Sequence, residues 1–175
     1  MKDLTTSEIA RQNVLNNKYA LEEAQKAVGL RGILFEGELK FTKQQLASFF
    51  EVSERSINSC LLHNDQELRS NGYDVIKGNR LKIFKLAVVE SDVQEVNFPN
   101  KTPQLGIFNF RAFINIAMLL SKSDRAREVR SLVLDIVIDT INKRTGGNTK
   151  YINQRDEDFV FNLLNNRDYH KELVL

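Results

Sequence analysis

The sequence contains a single cysteine, Cys60, so no disulfide can form within the chain. A chain of 175 residues, 42% of them hydrophobic, has enough apolar surface to fold around a core without cross-links. One unpaired cysteine is typical of proteins in a reducing compartment, so we expect a cytoplasmic protein. Because Cys60 lies on the apolar side of a predicted helix, beside Leu61, we expect a small core residue rather than a nucleophile.

Catalytic motifs are scarce as well. The two histidines, His63 and His170, lie far apart, and the chain has no CxxC, no HExxH and no glycine-rich phosphate loop. The acidic run at 156–158 would be the place for a nuclease metal, but consecutive residues on a helix point in different directions. We therefore predict no enzyme, catalytic residue, cofactor or metal ion, with a metal-dependent nuclease as the enzymatic alternative.

Membrane and export segments are not visible either. No run approaches the ~18 consecutive apolar residues that a membrane helix needs. The N-terminal MKDLTTSEIARQ lacks the apolar segment of a signal peptide. The net charge is only +2, from 25 basic and 23 acidic residues, so no overall basic field points to nucleic acid. We expect a soluble, intracellular protein without a membrane partner, and any case for DNA must rest on where the charges lie.

Capping residues and apolar spacing predict a first helix. The helix follows Thr5, Thr6 and Ser7 and ends at Gly29. Its apolar stripe consists of Ala10, Val14, Leu21, Ala24 and Val28. Such a stripe either packs on the core of the same chain or forms a dimer interface.

Extended structure is predicted for residues 33–41, 73–76 and 93–109. The first segment is a hairpin around Gly37. The last is a hairpin that contains both prolines and has a polar tip at 100–102. Between them, Gly78 precedes a short helix over about 80–89.

The C-terminal part of the chain is predicted to be helical. Residues 110–144 form two helices that break at Ser121 or Ser123. The apolar run 132–138 is assigned to a buried helix rather than a strand because of its length. A last amphipathic helix is predicted for 155–165, and the absence of a stop signal after it suggests a piece of a longer protein.

Residues 44–64, QQLASFFEVSERSINSCLLHN, have the pattern of a helix-turn-helix. Ala47 is small enough for two helices to cross closely, and Ser53 caps the second helix. The apolar residues spaced to close the core between the helices are Leu46, Phe50, Val52, Ile57 and Leu61. Many such turns have glycine where this chain has Glu51, since a left-handed backbone costs other residues about 1 kcal/mol. A purely structural helix pair is the alternative.

The early exposed positions of the second helix carry the predicted DNA contacts. Arginine pairs bidentately with guanine and asparagine with adenine, so Arg55 and Asn58 are the predicted base readers. Ser56 and Ser59 complete the set and are expected to reach a phosphate or a water molecule. Residues 42–63 carry no net charge, so this helix alone is a weak electrostatic anchor.

Contacts with DNA phosphates are predicted for cations outside that helix, namely Lys43, Lys77, Arg80, Lys82, Lys85 and Lys101. No acid interrupts the four between residues 77 and 85, although a solvated helix face would have the same pattern. Lys101, at the hairpin tip, would act as a wing. Two roles are predicted for Arg125, Arg127 and Arg130. They either form ion pairs that orient their helix or make a second phosphate-binding surface.

The helix-turn-helix is followed by a helix start Asn109-Phe110-x-Ala112, a segment Ser123-x-Arg125-Ala126-x-x-x-Arg130 and a long apolar helix. In these features residues 42–144 resemble RhuM-type proteins, which are related in pattern to the N-terminal domains of phage antirepressors. The resemblance implies a DNA-binding protein of bacteria or mobile elements, often encoded near virulence, phage or toxin–antitoxin genes. It also implies that a further region normally follows residues 149–159.

The predicted fold is mainly α with small β elements, a winged helix-turn-helix-like domain followed by a helical block. Its predicted divisions are an N-terminal helix (1–31), the winged helix-turn-helix-like domain (32–110), the helical block of the RhuM-like region (111–145) and a C-terminal segment (146–175).

The predicted function is transcription regulation by sequence-specific binding to double-stranded DNA. A homodimer is expected to form through the first helix or the apolar helix 132–141, because such readers gain affinity by pairing half-sites. The alternative, favoured by the neutral second helix, is an adapter or antitoxin whose helix-turn-helix docks a protein partner from the same locus.

Overall fold

The computed structural model describes residues 4–91, 93 and 102–144, and in these ranges it confirms a mainly helical fold with small β elements. A short 3-10 helix (Leu4–Thr6) precedes helices α1 (Glu8–Leu15), α2 (Lys18–Val28), α3 (Lys43–Phe50), α4 (Glu54–His63), α5 (Asp65–Ser70), α6 (Gly78–Glu90), α7 (Phe110–Leu119) and α8 (Asp124–Arg144). The strands are β1 (Ile33–Phe35), β2 (Glu38–Thr42), β3 (Tyr73–Lys77) and β4 (Gln104–Phe108). None of the helices in these ranges is long and apolar enough to cross a membrane.

The N-terminal segment forms two helices where one was predicted. Ser7 caps α1 and Gly29 ends α2 in the left-handed conformation, as expected. However, α1 stops at Asn16, and Asn17 caps α2 by accepting a hydrogen bond from the Ala20 N–H at 3.0 Å. Asparagine side chains compete with the helical backbone for hydrogen bonds, so two in succession break the helix.

The apolar stripe of these two helices lies inside the chain's own core. Ala10, Val14 and Ala24 have no exposed surface, and Leu21 and Val28 pack against the same cluster. The stripe is therefore a core surface, which is the first of the two alternatives that its pattern allowed. Its buried residues are therefore not available to a partner, and a dimer through this helix pair stays a prediction.

The strands form one antiparallel sheet in the order β1-β2-β4-β3. The predicted hairpin at 33–41 is confirmed, with Glu36 and Gly37 both at positive φ, as a two-residue turn requires. β4 pairs with β3 along its whole length and with the end of β2. It confirms extended structure in the second half of the predicted segment 93–109, but its described partners are β3 and β2, and residues 94–101, which include the tip of the predicted hairpin, lie outside the described residues.

The sheet separates two groups of buried apolar side chains. On one face, Phe41, Tyr73 and Phe108 belong to the main core, which the sheet shares with α1–α4, α7 and α8. On the other face, the strand residues pack with α6 in a second cluster that contains Ile33, Phe35, Ile76, Ile107, Leu81, Phe84 and Val88. Helix α6 therefore lies across the sheet from α3 and α4.

Helix α7 is the centre of the main core. Eight of its ten residues are buried. Phe113 has no exposed surface, and its ring centroid lies 5.0–5.8 Å from those of four other rings, which are Phe41, Phe49, Phe50 and Phe110. These ring contacts connect α7 to β2 and to the end of α3.

The two helices predicted for residues 110–144 are α7 and α8, with the break at 120–123. The run 132–138 is helical as predicted and lies within α8, where Val133 and Val137 are buried in the main core. This inner side of α8 is therefore a core surface, while Leu134, Ile136, Ile138 and Ile141 are only partly buried. The predicted helix 155–165 and the acidic run 156–158 lie outside the described residues.

A buried polar network joins α1, α5 and α7. Asn115, fully buried in α7, donates to the Glu67 carboxylate at 2.5 Å and accepts from the Asn71 side chain at 2.8 Å. Arg11 pairs with Glu67 at 2.7 Å, and both side chains are 7% exposed. The remaining Arg11 donor groups bind the Leu4 and Thr5 carbonyls, so every member has a partner.

Arg11→Ala is expected to lower the free energy of unfolding by about 3–5 kcal/mol, because it leaves the buried Glu67 carboxylate without its counter-charge. Urea denaturation measures the loss. As a control, Lys26→Ala removes the exposed ion pair with Glu23 and should change stability by less than about 0.5 kcal/mol. A similar, small effect of both substitutions would contradict the proposed role of the network.

Candidate nucleic-acid interface

The helix-turn-helix begins and ends as predicted. Thr42 and Gln45 form a reciprocal capping box at the start of α3, with bonds of 3.2 and 2.9 Å between each side chain and the other's backbone N–H. Ser53 caps α4 by accepting from the Ser56 N–H at 3.2 Å. Both helix starts are thus held by local bonds that the sequence pattern predicts.

The turn between the helices has the left-handed geometry expected at Glu51. Its φ and ψ are 55° and 44°, and the next N–H, of Val52, donates to the Ala47 carbonyl at 3.0 Å. Ala47 is 6% exposed, so the position has no room for a larger side chain. The turn keeps its shape although Glu51 bears the steric cost that glycine avoids.

The inner faces of α3 and α4 are buried as predicted. Four of the five predicted core residues are at most 8% exposed, namely Leu46, Phe50, Ile57 and Leu61, and Val52 packs against them half-buried. Cys60 is also half-buried on this side, and burial raises the pKa of its thiol. A thiol that is protonated and packed in this way is a core residue, as predicted.

The outer face of α4 carries the predicted readers. Arg55, Asn58 and Ser59 are exposed, and their side chains bond to no other side chain or backbone group in the described part of the chain. Ser56 differs, since it is half-buried and its Oγ lies 3.2 Å from the Ser53 Oγ at the cap. The structure therefore brings three polar side chains to one outward surface and assigns Ser56 to the helix start.

Leu62 is a member of this surface that was not predicted. It is 79% exposed and lies four residues after Asn58 and seven after Arg55, which puts the three on one stripe of α4. An apolar side chain here would contact a thymine methyl group or a protein surface. The signal was present in the helical spacing, because Leu62 is four residues after Asn58.

The start of α8 is attached to the end of α3. Ser123 donates to the Phe50 carbonyl at 2.7 Å and accepts from the Ala126 N–H at 3.1 Å. One hydroxyl group therefore caps the start of α8 and also bonds the last carbonyl of α3. The Arg125 guanidinium lies 4.8 Å from the centre of the Phe49 ring. These contacts fix the turn of the helix-turn-helix from behind.

The three arginines of α8 have different environments. Arg130 is buried and donates to the Ala117 and Leu120 carbonyls, both at 2.8 Å, so it holds α7 against α8 and cannot reach a phosphate. Arg127 is exposed, 4.0 Å from Asp124. Only Arg125 lies beside the helix-turn-helix.

The predicted phosphate-binding cations do not form one surface with α4. Arg80, Lys82 and Lys85 are on α6, across the sheet. Lys77 ends β3 and alternates with Tyr73 and Val75, so it lies on the main-core face of the sheet but not on α4. Lys43, half-buried, is at the start of α3, whereas Lys101 lies outside the described residues.

Arg80 is already engaged by two carboxylates. It binds Glu36 at 2.7 Å and Asp74 at 2.9 Å, and the bond with Arg80 holds the pKa of Glu36 below its usual range. These acids come from a neighbouring turn and strand, which the charge pattern between residues 77 and 85 could not reveal. The charge of Arg80 is therefore offset within the chain, while exposed Lys77 and Lys82 form no ion pair with a described residue.

Comparison with protein-family models, curated proteins and solved structures gives no match for the chain. The similarity to RhuM-type proteins thus remains an expectation from the quoted residues. Among the residues that the structure describes, no three His, Cys, Asp or Glu side chains converge as metal ligands.

Glu51→Gly is expected to raise the free energy of unfolding by about 0.5–1 kcal/mol, because glycine adopts positive φ without a Cβ clash. Urea denaturation of the variant measures the gain. Glu54→Gly removes the same side chain from the first position of α4, where a carboxylate favours the helix N-terminus, and should instead lower stability by about 0.5 kcal/mol. A loss of stability in Glu51→Gly would contradict the left-handed turn.

Proposed function

We propose that the protein binds double-stranded DNA in a sequence-specific manner and regulates transcription, with α4 as the helix that enters the major groove. The observation that carries the proposal is the outer face of α4, where Arg55 and Asn58 are exposed without a partner among the described residues. Arginine and asparagine are the side chains that read guanine and adenine bidentately. Membership of the RhuM-type family and a winged form of the domain belong to the same proposal.

The packing of α4 against its neighbours supports this function. Base readout needs side chains that are held to within about half an ångström, which requires a rigid supporting element. The inner face of α4 packs through Ile57 and Leu61 on α3 and α7. Its first turn is capped by Ser53, and the N-terminal residues of a recognition helix are the ones that contact base edges.

On the side of the sheet where α4 lies, we assign the phosphate contacts to Lys43 and Arg125. Lys43 opens α3, and Arg125 lies at the other end of that helix, against Phe49. The cations of α6 lie across the sheet, so we assign them to a different surface. With two phosphate contacts, the affinity should depend on salt less steeply than with the six cations of the sequence prediction.

A second candidate function is protein docking, as an adapter or antitoxin. It is favoured by Leu62, which is 79% exposed in the middle of the α4 surface, and by the zero net charge of residues 42–63. A docking helix needs an apolar anchor and no basic field. The two functions differ in one measurable property, which is salt-dependent binding to duplex DNA.

The test uses fluorescence anisotropy with a duplex enriched from a random pool and a scrambled duplex of equal length, at about 50 and about 200 mM salt. We expect the parent chain to prefer the enriched duplex. Arg55→Ala/Asn58→Ala should lose that preference, at about 1–3 kcal/mol for each bidentate contact, and keep most of its affinity for the scrambled duplex.

The matched control is Asn79→Ala/Lys82→Ala, which removes one asparagine and one cation from exposed positions on α6, across the sheet. It should bind as the parent does. If the parent chain binds neither duplex at the lower salt concentration, the proposal fails and protein docking becomes the better account.

A further inference from the structure

The outer face of α6 carries three exposed apolar side chains in a row. Ile83 is 50% exposed, Leu86 64% and Val89 81%, and they follow each other at intervals of three residues. The other exposed large apolar residues in the described ranges are single, each on a separate element: Ile9, Tyr19, Leu34 and Leu62. Single exposed apolar residues are ordinary on protein surfaces, whereas a continuous row marks a contact surface.

The charges beside this row have an unusual arrangement. Lys82 and Glu90 are exposed, have no ion pair with a described residue, and lie four residues before and four after Leu86. Residues four apart share a helix face, so Lys82, Leu86 and Glu90 form a second row that crosses the first at Leu86. The outer face of α6 thus has an apolar centre, a cation towards one end and an anion towards the other.

Such a face is complementary to itself. Suppose that two copies of α6 pack antiparallel about a twofold axis at Leu86. A residue that precedes Leu86 by a given number of positions then lies at the same level along the helix pair as the residue that follows Leu86 of the other copy by that number. Ile83 then faces Val89 of the other copy, and Lys82 faces Glu90 of the other copy, twice. A twofold interface requires this kind of reciprocal pairing: if one residue contacts a second residue of the other copy, the second residue contacts the first residue of the other copy.

We propose that the protein forms a homodimer through the outer face of α6, with the two helices antiparallel and Leu86 at the axis. This surface is on the opposite side of the sheet from α4, so the dimer leaves α4 uncovered, and the proposal does not depend on DNA binding. Of the two surfaces that the sequence suggested for a dimer, the first helix and residues 132–141, part is buried in the main core, whereas the outer face of α6 is exposed.

The size of the face predicts a weak and reversible dimer. α6 has thirteen residues and is about 20 Å long, so one helix pair buries less than the interfaces of permanent dimers. We expect a dissociation constant on the order of 10 μM, as is typical of small transient interfaces.

Sedimentation equilibrium of the full chain, from about 1 to about 300 μM, tests the proposal over a range that brackets this value. Leu86→Glu should raise the dissociation constant at least about tenfold, because it puts two carboxylates together at the axis. Leu62→Glu is the matched control, a leucine on α4 that is 79% exposed against 64% for Leu86, and should leave the dissociation constant unchanged. Circular dichroism checks that both variants are folded.

A charge exchange tests the orientation. Lys82→Glu and Glu90→Lys should each weaken the dimer, since each creates two like-charge pairs across the axis, and the double variant should restore the parent value to within about twofold. A monomer at every concentration would overturn the proposal. So would an equal effect of Leu62→Glu, or a double variant that is weaker than either single one.

Discussion

The side chain of Asn115 has to be satisfied inside the main core, and much of the molecule is arranged around that requirement. α7 is buried on nearly all sides, and an amide in such a place destabilises the fold unless its donors and acceptors are bonded. Glu67, in the first turn of α5, and Asn71, just after that helix, supply the bonds. Glu67 brings a charge into the core, and Arg11 from α1 neutralises it. One buried amide therefore fixes three helices relative to each other.

This arrangement determines where α4 lies. α5 follows α4 directly, at Asn64, so the network that holds α5 also fixes the end of α4. At the other end, Ser123 bonds to the last carbonyl of α3, and the Phe113 ring stacks on Phe50 at 5.0 Å. The inner face of α4 and both of its ends are fixed by these contacts, while its outer face is exposed. A helix that reads bases needs this geometry.

The local features of this fold were predictable, because a capping residue, a glycine or a run of apolar spacing acts within a few positions. Thr42, Ser53 and Gly29 mark the ends of α3, α4 and α2 where their residue types indicated. The left-handed turn at Glu51 was predictable in the same way. The break at 16–17 was also local, but the regular apolar stripe across it concealed the effect of two asparagines.

What the pattern could not indicate are contacts between distant parts of the chain. Arg11 and Glu67 are 56 residues apart, and Arg80 and Glu36 are 44 apart, so neither pair leaves a trace in local charge patterns. The position of α6 depends on the order of the strands, in which β4 is inserted between β2 and β3. For this reason the cations of α6 were predicted to support α4, although the sheet lies between them.

The central claim is that the outer face of α4 is the DNA-binding surface, and titration of the chain with an enriched duplex, followed by NMR amide chemical shifts, tests it most directly. The account predicts the largest changes at Arg55, Asn58 and Ser59, smaller ones at Lys43 and Arg125, and none at the exposed residues of α6. Changes centred on α6 with α4 unaffected would contradict it.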